Sequence, residues 1–302
     1  MSKTEIIAKG SLPTVCDKLL LGDFDGLHLG HRALFDGVTD ESIVFTFSEN
    51  TKRTMGLIGA TLYPEYVNRA LMGALGVGRV YYEDFSAIRD QSPGQFAEYI
   101  TSLFSPKTVV CGENFTFGKN AVGNSTLLRR LLKERGVDCR VLPSVMVDGV
   151  TVSSSSVRKY VENGDMERAR TFLGSPYSIY GAVVHGKALG RKIGTPTVNL
   201  PIYERCVVPK LGVYISLLTV GDKSYKGVTN VGVRPTVDDG DRINTETFLL
   251  DFEGEIYGSE VILSLFEYIR EEKKFDSTAS LAAQIIEDSE KSLSFFEKFT
   301  NC

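Results

Sequence analysis

Leu19-Leu20-Leu21-Gly22-Asp23-Phe24-Asp25-Gly26-Leu27-His28-Leu29-Gly30-His31 decides the fold of the first half of this chain. An apolar run ends in a glycine-rich turn and a helical pattern opens directly after it, the way a strand hands over to a helix at the carboxyl end of a parallel sheet. The chain has 3 histidines, and two of them stand here, three residues apart. With a helix beginning near Gly30, His28 and His31 fall on adjoining positions of its first turn, where their rings can converge on an anion at the helix amino terminus. Gly26 and Gly30 let a phosphate approach the backbone closely; Gly22 and Asp25 belong to the same candidate nucleotide-binding turn.

Outward from this stretch, to about residue 145, short β-rich runs alternate with helical patterns. Ile43–Phe47, Arg79–Tyr82, Thr108–Cys111 and Cys139–Leu142 read as further strands. Ser92-Pro93 opens a helix with Phe96, Ile100 and Leu103 on its core face, and Leu127, Leu128, Leu131 and Leu132 mark another, closed by Gly136. This alternation predicts a parallel sheet flanked by helices. From Ser178 onward the pattern changes to strand-like runs separated by turns: Ile179–His185, Gly212–Val220, Tyr225–Val231, Thr245–Phe252 and Glu260–Ile269. Successive hairpins of this kind predict a small antiparallel β-barrel. A last helix follows Ser277, with Leu281, Ile285, Ile286 and Leu293 expected as its buried stripe. The expected domains are 1–174 and 175–302.

Length and composition agree with two folded domains: 302 residues, 42% hydrophobic and 24% charged. A net charge of −4 argues against a general nucleic-acid binder, so any phosphate site is local. The 5 cysteines are scattered without a C-x-x-C pair, which points away from a disulfide framework or a zinc site. The amino terminus lacks an apolar leader and no run approaches membrane-spanning length, so a cytoplasmic protein without a membrane partner is expected.

Three further stretches carry chemistry. Gly112-Glu113-Asn114-Phe115-Thr116-Phe117-Gly118 follows a strand directly, which brings Asn114 to the same rim as His28 and His31. Its phenylalanines read as core. In Ser153-Ser154-Ser155-Ser156-Val157-Arg158, hydroxyls and backbone N–H groups near a helix start can meet phosphate oxygens, with Arg158 one turn on. His185-Gly186-Lys187-Ala188-Leu189-Gly190-Arg191 is a flexible basic loop able to wrap a polyphosphate. The Thr197-Val198-Asn199 stretch that follows turns a hydroxyl and an amide oxygen to one side, hard donors suited to Mg²⁺. Glu246 shares a strand face with Phe248 and Leu250, and a carboxylate so placed can serve as general base toward a hydroxyl.

Taken in order, G-D-F-D-G-L-H-L-G-H, G-E-N-F-T-F-G, S-S-S-S-V-R, G-T-P-T-V-N, N-V-G-V-R-P-T, E-T-F-L-L-D-F and I-R-E-E-K-K-F-D-S make the chain resemble the prokaryotic bifunctional riboflavin kinase/FAD synthetase family. The H-x-G-H string in the first of these is similar to that of nucleotidyltransferases. The resemblance implies a Rossmann-like α/β nucleotidyltransferase domain followed by a small antiparallel β-barrel with a C-terminal helix. It also implies ATP, riboflavin and FMN as substrates and Mg²⁺ as cofactor. By the same resemblance His28 and His31 bind ATP phosphates, Gly30 permits their approach, and Asn114, Ser154, Ser155 and Arg158 complete an adenylyl-transfer site. Thr197 and Asn199 hold Mg²⁺ with ATP, Glu246 takes the proton from the ribityl 5′-hydroxyl, and Arg270 lies near the flavin or its new phosphate. Weak self-association is the one further partner expected. The family usually carries Pro-His-Pro after the second strand, whereas this chain has Ser48-Glu49-Asn50-Thr51. Two alternatives therefore stand beside the bifunctional reading: a riboflavin kinase with a weak or inactive adenylyltransferase, and a flavin-binding regulator without turnover.

Overall fold

The computed structural model describes residues 4–56, 58–184, 197–235 and 241–299. These pack into two compact units, 1–156 and 157–302. In the first, six parallel strands form one sheet, in the order Glu5–Ile6, Arg79–Glu83, Ile43–Phe47, Lys18–Leu21, Thr108–Gly112, Asp138–Leu142. After the edge strand Glu5–Ile6 the chain enters the middle of the sheet at Lys18–Leu21, runs back toward that edge through Ile43–Phe47 and Arg79–Glu83, then crosses to the other side of Lys18–Leu21. The order therefore reverses at Lys18–Leu21, and ligands of open parallel sheets bind at such a point, beyond the carboxyl ends of the strands. The short Glu5–Ile6 strand at the edge was not among the strands expected from the sequence.

Alternation along each strand feeds two cores. Leu19, Leu21, Ile43, Phe45, Tyr81, Val109 and Cys111 face a layer containing Phe96, Ile100 and Phe104. Leu20, Val44, Val80 and Val110 face the opposite layer, with Phe24, Leu27, Leu34 and Met72. Burial on both sides is why these strands read as continuous apolar runs. The helix Pro93–Phe104 begins as its sequence predicts: Ser92 and Gln95 form a reciprocal capping box, with Pro93 in the first turn.

The second unit holds six antiparallel strands in the order Tyr177–Ala182, Glu260–Arg270, Gly212–Val220, Lys223–Pro235, Asp241–Leu249, Thr197–Pro201. The two edge strands come into contact, so the sheet curls toward a barrel. The helix Met166–Leu173 packs on the first two of these strands, and the long helix Thr278–Phe299 packs on Gly212–Val220 and Lys223–Pro235. This last helix departs from the apolar stripe expected of it. Ile286 and Leu293 are exposed, while Asp288, Ser292 and Phe296 are buried. The polar pair is tolerated because each finds a partner on the sheet: Asp288 meets Arg270, and Ser292 Oγ donates to the Gly227 carbonyl.

A buried carboxylate ties the edge of the first sheet together. Glu83 is 0% exposed and accepts from Lys9 Nζ at 2.8 Å, Tyr81 Oη at 3.0 Å, the Asp84 N–H at 2.9 Å, and Tyr99 Oη. Burial pushes this carboxyl up, but the hydrogen bonds from Lys9, Tyr99, Asp84 and Tyr81 outweigh it and hold the group below the ordinary 4.5. A carboxylate depressed in this way stabilises the fold above the ordinary glutamate range, and that contribution is lost as pH falls through the depressed folded value. Tyr81→Phe is expected to cost about 1.5–3 kcal/mol at neutral pH, the range for a hydrogen bond to a charged group. Glu83→Gln is expected to flatten the acid limb of stability; urea titrations of the full chain between neutral and acid pH measure both.

Candidate active sites

In the first unit the turn after Lys18–Leu21 is built from left-handed residues. Phe24, Gly26 and Leu27 have φ of 50°, 86° and 43°. Asp25, 2% exposed, accepts from the Leu62 N–H at 2.8 Å, and the Gly26 N–H donates to Asn68 Oδ1 at 3.0 Å. Asp25 thus shapes the turn from beneath. A Cβ on Gly26 would lie 2.4 Å from Leu62 Cδ1, so backbone conformation and space both require glycine there.

The turn delivers two stacked imidazoles. The His28 and His31 rings lie 3.7 Å apart between centroids at 16°, and Phe24 packs edge-on against His31 at 5.3 Å. His28 is the N-cap of the helix Leu29–Leu34; its Nδ1 accepts from the His31 N–H at 3.2 Å. That bond leaves the proton of a neutral His28 ring on Nε2, where it can be donated to an anion. A Cβ on Gly30 would stand 3.1 Å from the His28 ring and 3.5 Å from the Val152 carbonyl, so the bare glycine keeps this space open. Gly22 is similarly fitted to the Phe24 ring, 3.1 Å from where a Cβ would be.

The serine run reaches the same turn. Ser154 Oγ donates to the Asp25 carbonyl at 2.9 Å, and Ser155 is exposed. Ser153, to which the sequence assigned no separate role, caps the helix Ser154–Asn163, its Oγ accepting from the Ser156 N–H at 3.1 Å. Arg158 follows Ser154 by one turn of this helix and is buried. Asn114 is exposed just past Thr108–Gly112, the strand beside Lys18–Leu21, at the same end of the sheet. Phe117 is buried and Phe115 packs against the core, as expected. At Ser48–Thr51, where the family usually has Pro-His-Pro, the Ser48 N–H donates to the Glu83 carbonyl at 3.0 Å, and Thr51 Oγ1 donates to Asp23 Oδ2 at 2.7 Å.

In the second unit strand register assembles the site. Asn199 pairs with Glu246, Glu246 with Asn230, Asn230 with Val213, and Val213 with Arg270. These five residues form one row across five strands. Val213, Asn230, Glu246 and Arg270 line a cavity of about 230 Å³, joined by Thr197, Val228, Phe248, Glu272, Lys273, Phe275, Leu281, Ile285 and Asp288. Glu246 is half-buried between Asn199 and Asn230. Asn199 is buried, its Oδ1 accepting from Asn244 Nδ2 at 3.0 Å, and Asn230 Nδ2 donates to Glu272 Oε1 at 2.9 Å. Asn230, Phe275 and Asp288 were not singled out from sequence; Asn230 could have been found by its register with Glu246, the others only by packing. Gly186, Lys187, Gly190 and Arg191 lie outside the described residues.

Among the described residues no cluster of three His, Cys, Asp or Glu side chains is placed to hold a metal. Thr197 and Asn199 instead offer neutral oxygens one strand from Glu246. That donor set suits a hard divalent cation carried mainly by substrate phosphates.

A parallel sheet with stacked histidines at its switch point, joined to a curled antiparallel sheet with a carboxylate-bearing cavity, is the build of a transferase with two centres. A family model described as FAD synthetase matches residues 16–156, and one described as riboflavin kinase matches residues 173–296. The bifunctional riboflavin kinase/FMN adenylyltransferase of Listeria monocytogenes is 30% identical over 291 residues, covering 93% of this chain and 92% of the relative. Its counterpart from Escherichia coli K12 is 33% identical over 295 residues, covering 92% of each. A crystal structure from Streptococcus pneumoniae described as a macrolide-efflux protein is 28% identical, with a TM-score of 0.83 over 96% of this chain and 98% of that one. In this chain, among the described residues, no helix is long and apolar enough to cross a membrane. The chain belongs to the bifunctional riboflavin kinase/FMN adenylyltransferase family.

Gly26→Ala is expected to destabilise the full chain by at least about 1–2 kcal/mol from the left-handed backbone alone, with the Leu62 contact adding to it. Thermal unfolding of the variant against the parent measures the loss, and adenylyl transfer is expected to fall with it.

Proposed function

We propose that the row Asn199–Glu246–Asn230–Val213–Arg270 is the riboflavin kinase centre and that the stacked His28/His31 turn is the centre that adenylylates FMN. The chain phosphorylates riboflavin to FMN and converts FMN to FAD with release of pyrophosphate, using ATP in both steps. The observation that carries the kinase half is the setting of Glu246: a half-buried carboxylate on a cavity wall, flanked in register by two asparagines. In the boundaries read from the sequence, residues 1–174 serve adenylyl transfer and 175–302 serve the kinase. A cytoplasmic location goes with this reading.

Riboflavin enters the cavity with its ribityl 5′-hydroxyl toward Glu246, which accepts the proton as the oxygen attacks the γ-phosphorus of ATP and the bond from that phosphorus to the β–γ bridging oxygen breaks, releasing ADP. Asn199 and Asn230 flank Glu246 from the neighbouring strands. Thr197 and Asn199 would hold Mg²⁺, which supplies neutralisation of phosphate charge when bound. At the other centre FMN's phosphate attacks the α-phosphorus of ATP. His28 donates Nε2–H to a phosphate oxygen, the stacked His31 supports it, and Ser154, Ser155, Arg158 and Asn114 complete the rim. Both steps are displacements at phosphorus, so positioning and electrostatics supply most of the acceleration.

A second reading rests on Ser48–Thr51, whose bonds to Glu83 and Asp23 make it a built turn without the family's usual histidine: adenylyl transfer is then weak while the kinase is intact. The two readings differ in a product assay on the full chain with riboflavin and Mg-ATP. FMN followed by FAD and pyrophosphate is expected; FMN alone would favour the second reading, and no FMN would overturn both. Glu246→Gln is expected to lower the kinase rate at least about 100-fold, the usual size of a general-base contribution, while leaving FAD formation from supplied FMN intact. His28→Ala is expected to do the reverse.

A further inference from the structure

Asp288 is 1% exposed and lies on the last helix, where no motif marks it. Its carboxylate meets Arg270 in a forked pair: Nε to Oδ2 at 3.0 Å and to Oδ1 at 3.4 Å, and Nη2 to Oδ2 at 2.8 Å. Gln284, one turn earlier, donates Nε2 to Oδ1 at 3.2 Å, and Lys291 stands 4.0 Å from Oδ1. Arg270 Nη1 donates in turn to the Glu271 carbonyl at 3.0 Å. Three nitrogens of one guanidinium are thereby engaged, and its plane is fixed. Its central carbon lies 6.0 Å from the centroid of Phe275.

This pair stands at the opposite end of the row from Asn199. Arg270 is three strands from Glu246, about 14 Å measured along the sheet at ordinary strand spacing. The lining near it includes Phe275, Leu281 and Ile285. An unpaired guanidinium at this wall would favour a phosphate, as arginine does wherever its fork is free. With Asp288 offsetting its charge, this end of the cavity is polar and close to neutral: Glu272 and Lys273, which also line it, carry opposite charges, and Phe275, Leu281 and Ile285 add apolar surface. A phosphate gains little there; an uncharged planar ring system with hydrogen-bonding edges fits.

We propose that Asp288 is a positioning residue for riboflavin binding: it locks Arg270 in the plane that receives the flavin ring system at one end of the cavity while the ribityl 5′-hydroxyl reaches Glu246 at the other. This deepens the kinase reading and rests on it. Because Arg270 is remote from the transferred phosphoryl group, Asp288 acts on riboflavin affinity and leaves the phosphoryl-transfer step itself alone.

The test is steady-state kinase kinetics on the full chain with riboflavin and Mg-ATP, for Asp288→Asn, Asp288→Glu, Arg270→Ala and the double variant Arg270→Ala/Asp288→Asn. Asp288→Asn is expected to raise KM for riboflavin about tenfold with kcat within about threefold, the split that marks uniform binding. Asp288→Glu is expected to recover most of the affinity, and the double variant to be no worse than Arg270→Ala, because the two residues act as one unit. FAD formation from supplied FMN is expected to be unchanged in all four. An unchanged KM in Asp288→Asn, a loss confined to kcat, additive effects in the double variant, or thermal unfolding of both Asp288 variants below the assay temperature would each overturn the proposal. Failure of the parent chain to make FMN would instead overturn the kinase reading beneath it.

Discussion

The pairing of Glu246 with Asn199 on one side and Asn230 on the other is the constraint on which the carboxyl unit depends. Strand register is discrete: a slip of one residue would turn Glu246 away from the cavity and bring Thr245 or Thr247 to it. That slip is opposed from the other face, where Thr229 Oγ1 bonds Ser216 Oγ at 2.7 Å and Thr247 Oγ1 at 2.8 Å, and Thr245 Oγ1 donates to the Leu200 carbonyl at 2.9 Å. All four hydroxyl side chains are buried. Bonded in this way, they hold the register, and the register holds the row. A ladder of small hydroxyls on one face therefore fixes which side chains stand on the other.

The amino unit solves the same problem by different means. A parallel sheet cannot place its reacting groups across neighbouring strands when both faces are sealed by apolar layers, so it collects them from the loops at the strand ends. Those loops must be held rigid individually. The Gly22–His31 turn is held by Asp25 and Gly26 through Leu62 and Asn68, and by Ser154 through the Asp25 carbonyl. Glu83 does comparable work at the next strand end but one, joining Lys9, Tyr81 and Tyr99 beneath the carbonyl that receives Ser48.

This contrast explains what could be read in advance. The strands Ile43–Phe47, Arg79–Glu83 and Thr108–Gly112 and the capped helix Pro93–Phe104 were legible because their signals are local: apolar runs with buried centres, and a Ser-Pro start. The His28/His31 turn was legible for the same reason, all its parts being contiguous. Glu246 could be noticed, but its neighbours Asn230 and Asn199 lie 16 residues before and 47 before it, and only pairing brings them together. The stripe of the last helix misled because hydrophobicity was taken as the guide to burial. Ile286 and Leu293 face outward, and Asp288 and Ser292 face the sheet, where Arg270 and the Gly227 carbonyl wait for them. Glu5–Ile6 has two exposed residues and no pattern to see.

Burying Asp288 would be unfavourable without Arg270, and burying Arg270 without Asp288 equally so; removing one partner leaves a desolvated charge, whereas replacing both with apolar groups of similar volume is often tolerated or stabilising. The pair is thus weak support for the fold as such. An apolar contact between the last helix and the Glu260–Arg270 strand would hold the helix at least as well, and Phe266 with Phe295 and Phe296 already provides one, with ring centroids 5.9 and 5.1 Å apart. A costly ion pair beside a sufficient aromatic contact, in the wall of the cavity that contains Glu246, is explained by what the cavity must hold. The aromatic cluster secures the helix, and the ion pair gives the cavity a polar end whose charge is already balanced.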